Sequence, residues 1–264
     1  MDSIAPASTS LLGFDDNDLS LLAEVDTAFL LDNSSSMKIT DRGSTLNRWE
    51  QVRVALRLIA PICALYDTNG LDVYILNRLI NSHKNRYTNV ATAEKVEEIF
   101  NSVIITGVTP TGRRLSEILE PYLHELETKM REAKRGTLSS KVCKPLNLIV
   151  ITDGRADDQK YVREVIVKAA RRLDDLKADD HQIGIQFFQV GRDKKATEDL
   201  TELDDDLKVM DGVRDMVDTV AIDLEEEQEL DARTILKIVL GAVKRKLDLT
   251  AVKIQTKNRG SHGR

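Results

Sequence analysis

The run Leu146-Asn147-Leu148-Ile149-Val150-Ile151-Thr152 constrains the fold more than any other part of the chain. It is too short for a core helix and rich in β-branched residues. It reads as a long strand. Thr27 to Leu31 reads as a strand buried on both faces. Such strands belong to parallel sheets covered by helices on both sides.

Helical stripes lie between and after these runs. Arg48 to Tyr66 carries Val52, Ala55, Leu56, Leu58, Ile59 and Ile62 at helical spacing. Asp67-Thr68-Asn69-Gly70 is a turn, and Leu71 to Leu76 a second strand. Asn77 to Val90 is polar and aperiodic, with a short edge strand expected near Tyr87. Helices are expected over 93–103, 113–133, 160–176, 198–210 and 231–247, and further strands over 183–190 and 216–222. Strands alternating with helices imply right-handed crossovers between parallel strands. The expected fold is α/β, a doubly wound, mainly parallel sheet with helices on both faces. Residues 1–20, rich in Ser, Ala and Asp, read as a flexible lead-in, 21–247 as the domain, and 248–264 as a flexible basic tail.

Charge and composition narrow the function. The 264 residues carry a formal net charge of -6, which disfavours non-specific binding to a phosphate backbone. No apolar run reaches the roughly 18–20 residues of a membrane span, and the N-terminus lacks a signal-peptide pattern. The two cysteines, Cys63 and Cys143, make no disulfide framework and suit a reducing compartment. A cytoplasmic protein that binds neither nucleic acid nor membrane is expected.

Three polar clusters carry the chemistry. Asp32-Asn33-Ser34-Ser35-Ser36 follows the first strand, Thr109-Pro110-Thr111-Gly112 opens a helix, and Asp153-Gly154 follows the strand at 146–152. In an open α/β sheet, ligands bind outside the carboxyl ends of the strands, where strand order reverses. Asp32, Ser34 and Ser36 are spaced by two, so a turning loop can aim their oxygens together. Two carboxylates neutralise a divalent cation, and hydroxyls add neutral oxygen ligands. An unfilled coordination position then invites an acidic side chain from a partner protein.

These residues resemble the metal-ion-dependent adhesion site of von Willebrand factor type A domains. The resemblance rests on Asp32-x-Ser34-x-Ser36, Thr109-Pro110-Thr111-Gly112 and Asp153-Gly154, and it spans roughly residues 25–222. It implies a Rossmann-like domain that binds Mg²⁺ or Mn²⁺ and recognises protein partners. Asp32, Ser34, Ser36, Thr109 and Asp153 match the five ligand positions, with Thr111 the substitute for Thr109 if the loop is offset. The chain looks most like the stand-alone intracellular members of that family.

Other chemistries fit less well. A phosphohydrolase using Asp32 as nucleophile commonly has a second carboxylate two residues on, where this chain has Ser34. None of His83, His124, His181 and His262 sits in a motif that places it beside a serine nucleophile. There is no phosphate loop, and the two cysteines are isolated from any close His pair. The expectation is therefore a non-enzymatic module. The alternatives are that phosphohydrolase and a scaffold whose metal site stays empty. Arg113 and Arg155 stand beside the proposed ligands, where they either face a partner or face water. Asn77 reads as a turn residue and Trp49 as packing. The acidic runs 204–206 and 225–227 read as solvated faces.

Overall fold

The computed structural model describes residues 13–14, 16–77, 85–135, 143–191, 193–208, 213–221 and 230–241. Six strands form one sheet: β1 (Asp26–Leu31), β2 (Leu71–Ile75), β3 (Arg86–Val90), β4 (Leu146–Thr152), β5 (Ile183–Gln189) and β6 (Val217–Ala221). Their order is β3-β2-β1-β4-β5-β6. Every neighbouring pair is parallel except β2 and β3. The chain is a doubly wound α/β protein, and its strand order reverses between β1 and β4.

The helices are α1 (Asp16–Ser20), α2 (Arg48–Tyr66), α3 (Ala93–Ser102), α4 (Thr111–Lys134), α5 (Gln159–Leu176), α6 (Lys194–Lys208) and α7 (232–241). They cover both faces of the sheet. On one, Val52, Leu56 and Ile59 of α2, Ile99 of α3 and Ile235 of α7 pack on Phe29, Leu31, Ile149 and Ile151. On the other, Leu115 and Leu119 of α4, Ile166 of α5 and Leu203 of α6 pack on Ala28, Leu30, Leu148 and Val150. Successive strand residues point to opposite faces, so both parities of β1 and β4 are apolar and buried. Each fully buried Leu, Ile or Phe contributes about 1.5–3 kcal/mol.

Local chemistry sets the element ends. The Asn47 side chain accepts from the Glu50 N–H (2.9 Å) and caps α2. Thr92 caps α3 in the same way through the Lys95 N–H. Gly70 takes a φ of +65° in the turn into β2, a value that costs glycine little.

Two expectations shift. The lead-in was placed across residues 1–20, yet Asp16–Ser20 is helical and continues into a 3-10 turn, Leu21–Glu24. Leu19 and Leu22 are buried in the α2-side core, and this burial orders the segment. Helix α6 starts four residues before the expected 198, because Asp193 accepts from the N–H groups of Lys195 and Ala196. The expected edge strand near Tyr87 is β3. Residues 1–12, the tail at 248–264 and the acidic run at 225–227 lie outside the described residues.

Both cysteines are free thiols. Cys63 lies on the buried face of α2, and burial pushes its thiol up to about 12. Cys143 is partly exposed. A neutral-pH thiol reagent is expected to modify Cys143 in the native protein and both cysteines only after denaturation. Mass spectrometry of the two states, with the modified residue mapped, checks this.

Candidate metal centre

The crevice forms where β1 and β4 end side by side. Parallel pairing aligns Leu31 with Ile151. The ladder runs one step further, from the Asp32 N–H to the Ile151 carbonyl (2.9 Å). Asp32 and Asp153 therefore leave adjacent strands at the same edge.

After Asp32 the chain turns sharply. The Asp32 carboxylate accepts from the Ser34 N–H through Oδ1 (2.7 Å) and from Thr152 Oγ1 through Oδ2 (2.7 Å). The 3-10 turn Ser35–Lys38 follows and brings the serines together. Ser34 Oγ lies 3.0 Å from Ser36 Oγ, and Ser36 Oγ donates to Asp153 Oδ1 at 2.8 Å. Ser34, Ser36 and Asp153 thus form one connected group of oxygens, and the Ser34 N–H ties Asp32 to it. All are hard donors, matching magnesium or manganese rather than zinc. Among the described residues, no three His, Cys, Asp or Glu side chains gather as a metal site would require. Hydroxyls must therefore supply part of any shell here.

The Thr109 loop borders this group, since the Gly107 carbonyl accepts from the Ser35 N–H (3.3 Å), but Thr109 itself is held by backbone bonds and shows no hydrogen bond to the other four expected ligands. Its backbone N–H donates to Asp157 Oδ2, and its carbonyl accepts from the Asp157 N–H (3.0 Å). Asp158 caps α4 from a distant loop, accepting from the N–H groups of Gly112 and Arg113 (both 2.9 Å). These bonds clamp the Thr109 loop onto the segment that carries Asp153. Thr111, the substitute for Thr109, is the first residue of α4 and is buried.

Asn33 braces the third side. It is fully buried, and its side chain accepts from the Asn77 N–H (2.7 Å) and donates to the Ile104 carbonyl (2.9 Å). Asn77 in turn donates from Nδ2 to the Val108 carbonyl (2.7 Å). Asn77 is thus a buttress of the Thr109 loop as well as a turn residue.

The charge balance is completed by Arg48, which the sequence did not flag. Its guanidinium donates to Asp153 Oδ2 (2.8 Å) and takes both oxygens of Asp41 (2.9 and 2.7 Å). It packs flat on Gly191, where a Cβ would overlap it. Nothing in the sequence joins Arg48 to a carboxylate 105 residues away. Asp157 and Asp158 were nearer to hand, since they follow Asp153 closely. Arg113 and Arg155, by contrast, are 70% and 53% exposed and pair with Glu117 and Asp199. Trp49 is buried against Phe100, as expected of packing.

Burial drives the Asp32 carboxyl up to about 6, against the hydrogen bonds from Thr152 and Ser34, which pull it down. A cavity of about 820 Å³ lies elsewhere, between α4 and the β2–β3 end of the sheet. It is lined from the amino ends of β1 and β2, so it takes no part in this chemistry.

Comparison with known proteins adds little. No family model matches the sequence, and no curated relative does. Among solved structures, manganese-loaded TRAP protein of Plasmodium vivax matches with a TM-score of 0.39 and 14% identity. The match covers 84% of this chain and 74% of that one. The α/β assignment rests on the strand order of this chain itself.

Two outcomes follow from the geometry. A Cβ on Gly112 would lie 2.5 Å from the Val162 backbone nitrogen, so Gly112→Ala must push α4 off α5. It is expected to cost about 1–3 kcal/mol in a denaturant melt. In chelator, Asp32→Asn should stabilise the protein at pH 8. The unfolded carboxyl ionises near 3.8 and the folded one near 6, so stability falls as pH rises between these values. Asparagine removes a cost on the order of 2–3 kcal/mol at pH 8, and that advantage should vanish toward pH 4. Melts of both proteins across this range check the sign.

Proposed function

We propose that this chain is a non-enzymatic, divalent-cation-dependent protein-binding module of the von Willebrand factor type A kind. Asp32, Ser34, Ser36, Thr109 and Asp153 hold Mg²⁺ or Mn²⁺, and an acidic side chain of a partner protein completes the shell. The supporting observation is the connected oxygen group of Ser34, Ser36 and Asp153 at the carboxyl ends of β1 and β4. When bound, the ion supplies an electrophilic centre for an incoming carboxylate.

The residues do the rest. Ser36 can donate its hydrogen bond to Asp153 and still offer lone pairs to an ion. Asp32 has both oxygens engaged and contributes its charge to the crevice. The three carboxylates Asp32, Asp41 and Asp153 outnumber the single guanidinium of Arg48 by two charges, which one divalent cation balances. Hydroxyl ligands leave that ion less neutralised than carboxylates would, so it keeps its attraction for an outside acid. Arg113 and Arg155 are exposed but paired with Glu117 and Asp199, so they would aid an acidic partner only by exchanging those ion pairs.

A phosphohydrolase is the weaker reading. Asp32 is 1% exposed and its oxygens accept from Ser34 and Thr152, a poor posture for a nucleophile. No helix among the described residues is long and apolar enough to cross a membrane. Cytoplasmic residence is part of the proposal, in keeping with two unpaired thiols.

Titration with Mn²⁺ or Mg²⁺ is expected to raise the thermal midpoint, by about 2.7 kcal/mol of stability at a hundredfold excess over Kd. Ser34→Ala and Asp153→Ala should fold yet lose that response. Variants that respond to metal like the parent would refute the ligand assignment. Turnover of a phosphate ester abolished by Asp32→Asn would instead establish the enzyme.

A further inference from the structure

We propose that Arg48 sets the ion preference of this site by holding Asp153 to a single available oxygen, so that the site favours Mg²⁺ or Mn²⁺ over Ca²⁺. The inference rests on the metal-binding reading above and adds to it a residue outside the ligand set.

The geometry is specific. Asp153 Oδ2 is taken by Arg48 Nη1 at 2.8 Å, in a bond buried from solvent. Only Oδ1, which faces Ser36, remains on the serine side. Arg48 cannot swing away easily. Asp41 grips its Nε and Nη2, and Gly191 forms a floor that leaves no room for a side chain. The other carboxylate is restrained likewise, since Thr152 occupies Asp32 Oδ2. Neither aspartate is placed to chelate an ion through both oxygens.

That restraint discriminates between ions. Calcium fills a shell of about six to eight oxygens and commonly gathers them with bidentate carboxylates. Magnesium wants about six in a near-octahedral array and accepts carboxylates one oxygen at a time. The guanidinium charge repels any cation here, but its hold on Oδ2 adds a penalty for calcium that magnesium and manganese do not share. Lysine at this position would keep the charge and one hydrogen bond to Asp153, though it could not bridge to Asp41 as a planar fork does.

The test measures binding directly. Mn²⁺ affinity of the purified full chain is read from the free-ion EPR signal, and Ca²⁺ affinity from competition against it. Removing a positive charge tightens both ions together, so the ratio of the two dissociation constants is the diagnostic quantity. In Arg48→Met that ratio should move at least about tenfold toward calcium, within the range that outer-shell partners exert on metal sites. Arg48→Lys should restore most of it. Asp41→Asn, which keeps Arg48 but loosens its grip, should shift the ratio in the same direction by less, and it serves as the deciding variant if Arg48→Met does not fold. An unchanged ratio in the variants that fold overturns the inference, as does an equal loss of affinity for both ions. A parent protein that binds neither ion overturns the metal-binding reading itself.

Discussion

The parallel pairing of β1 with β4 is the contact on which the rest of the structure depends. It makes β1 central, since β2 lies on its other edge. It also sets the register that delivers Asp32 and Asp153 to one crevice. A slip of one residue would invert every side chain of β1 and turn Phe29 and Leu31 to the wrong face. Core packing and site geometry are therefore one constraint. The apolar parity that buries β1 on both faces also fixes where its terminal carboxylate emerges.

Around that edge the structure spends its buried polar groups on holding loops still. Asn33 ties the segment at 104–108 to the end of β1. Asp157 and Asp158 bind backbone N–H groups at 109–113. Arg48 joins the start of α2 to Asp153. A buried pair of this kind is weak evidence for stability, because desolvating both charges offsets much of their attraction. Its effect is on orientation, since the guanidinium fixes how the Asp153 carboxylate faces Ser36.

Much of the fold was legible in the residues. Arg48–Tyr66 and Leu146–Thr152 have the limits their periodicity indicates, because the apolar pattern and the flanking turns agree. Asp16–Ser20 was not legible. A short polar helix has no period to read, and only the burial of Leu19 and Leu22 against α2 reveals it. Asp32, Ser34, Ser36 and Asp153, which the structure gathers at one sheet edge, are marked in the sequence by spacing and by position after apolar runs. The supporting residues are not. An arginine at a helix start, or an asparagine in a turn, carries no mark of a partner 105 or 44 residues away.

The sequence by itself determined the alternation of strands and helices, the apolar strand runs and the oxygen-rich loops at their ends. Those properties are local, fixed by side-chain period and turn chemistry. Tertiary structure alone decided which strands are neighbours, which oxygen of Asp153 remains open and which cation stands behind it. Those are matters of distance in space, and hydrogen bonds between remote loops leave no trace in the order of residues.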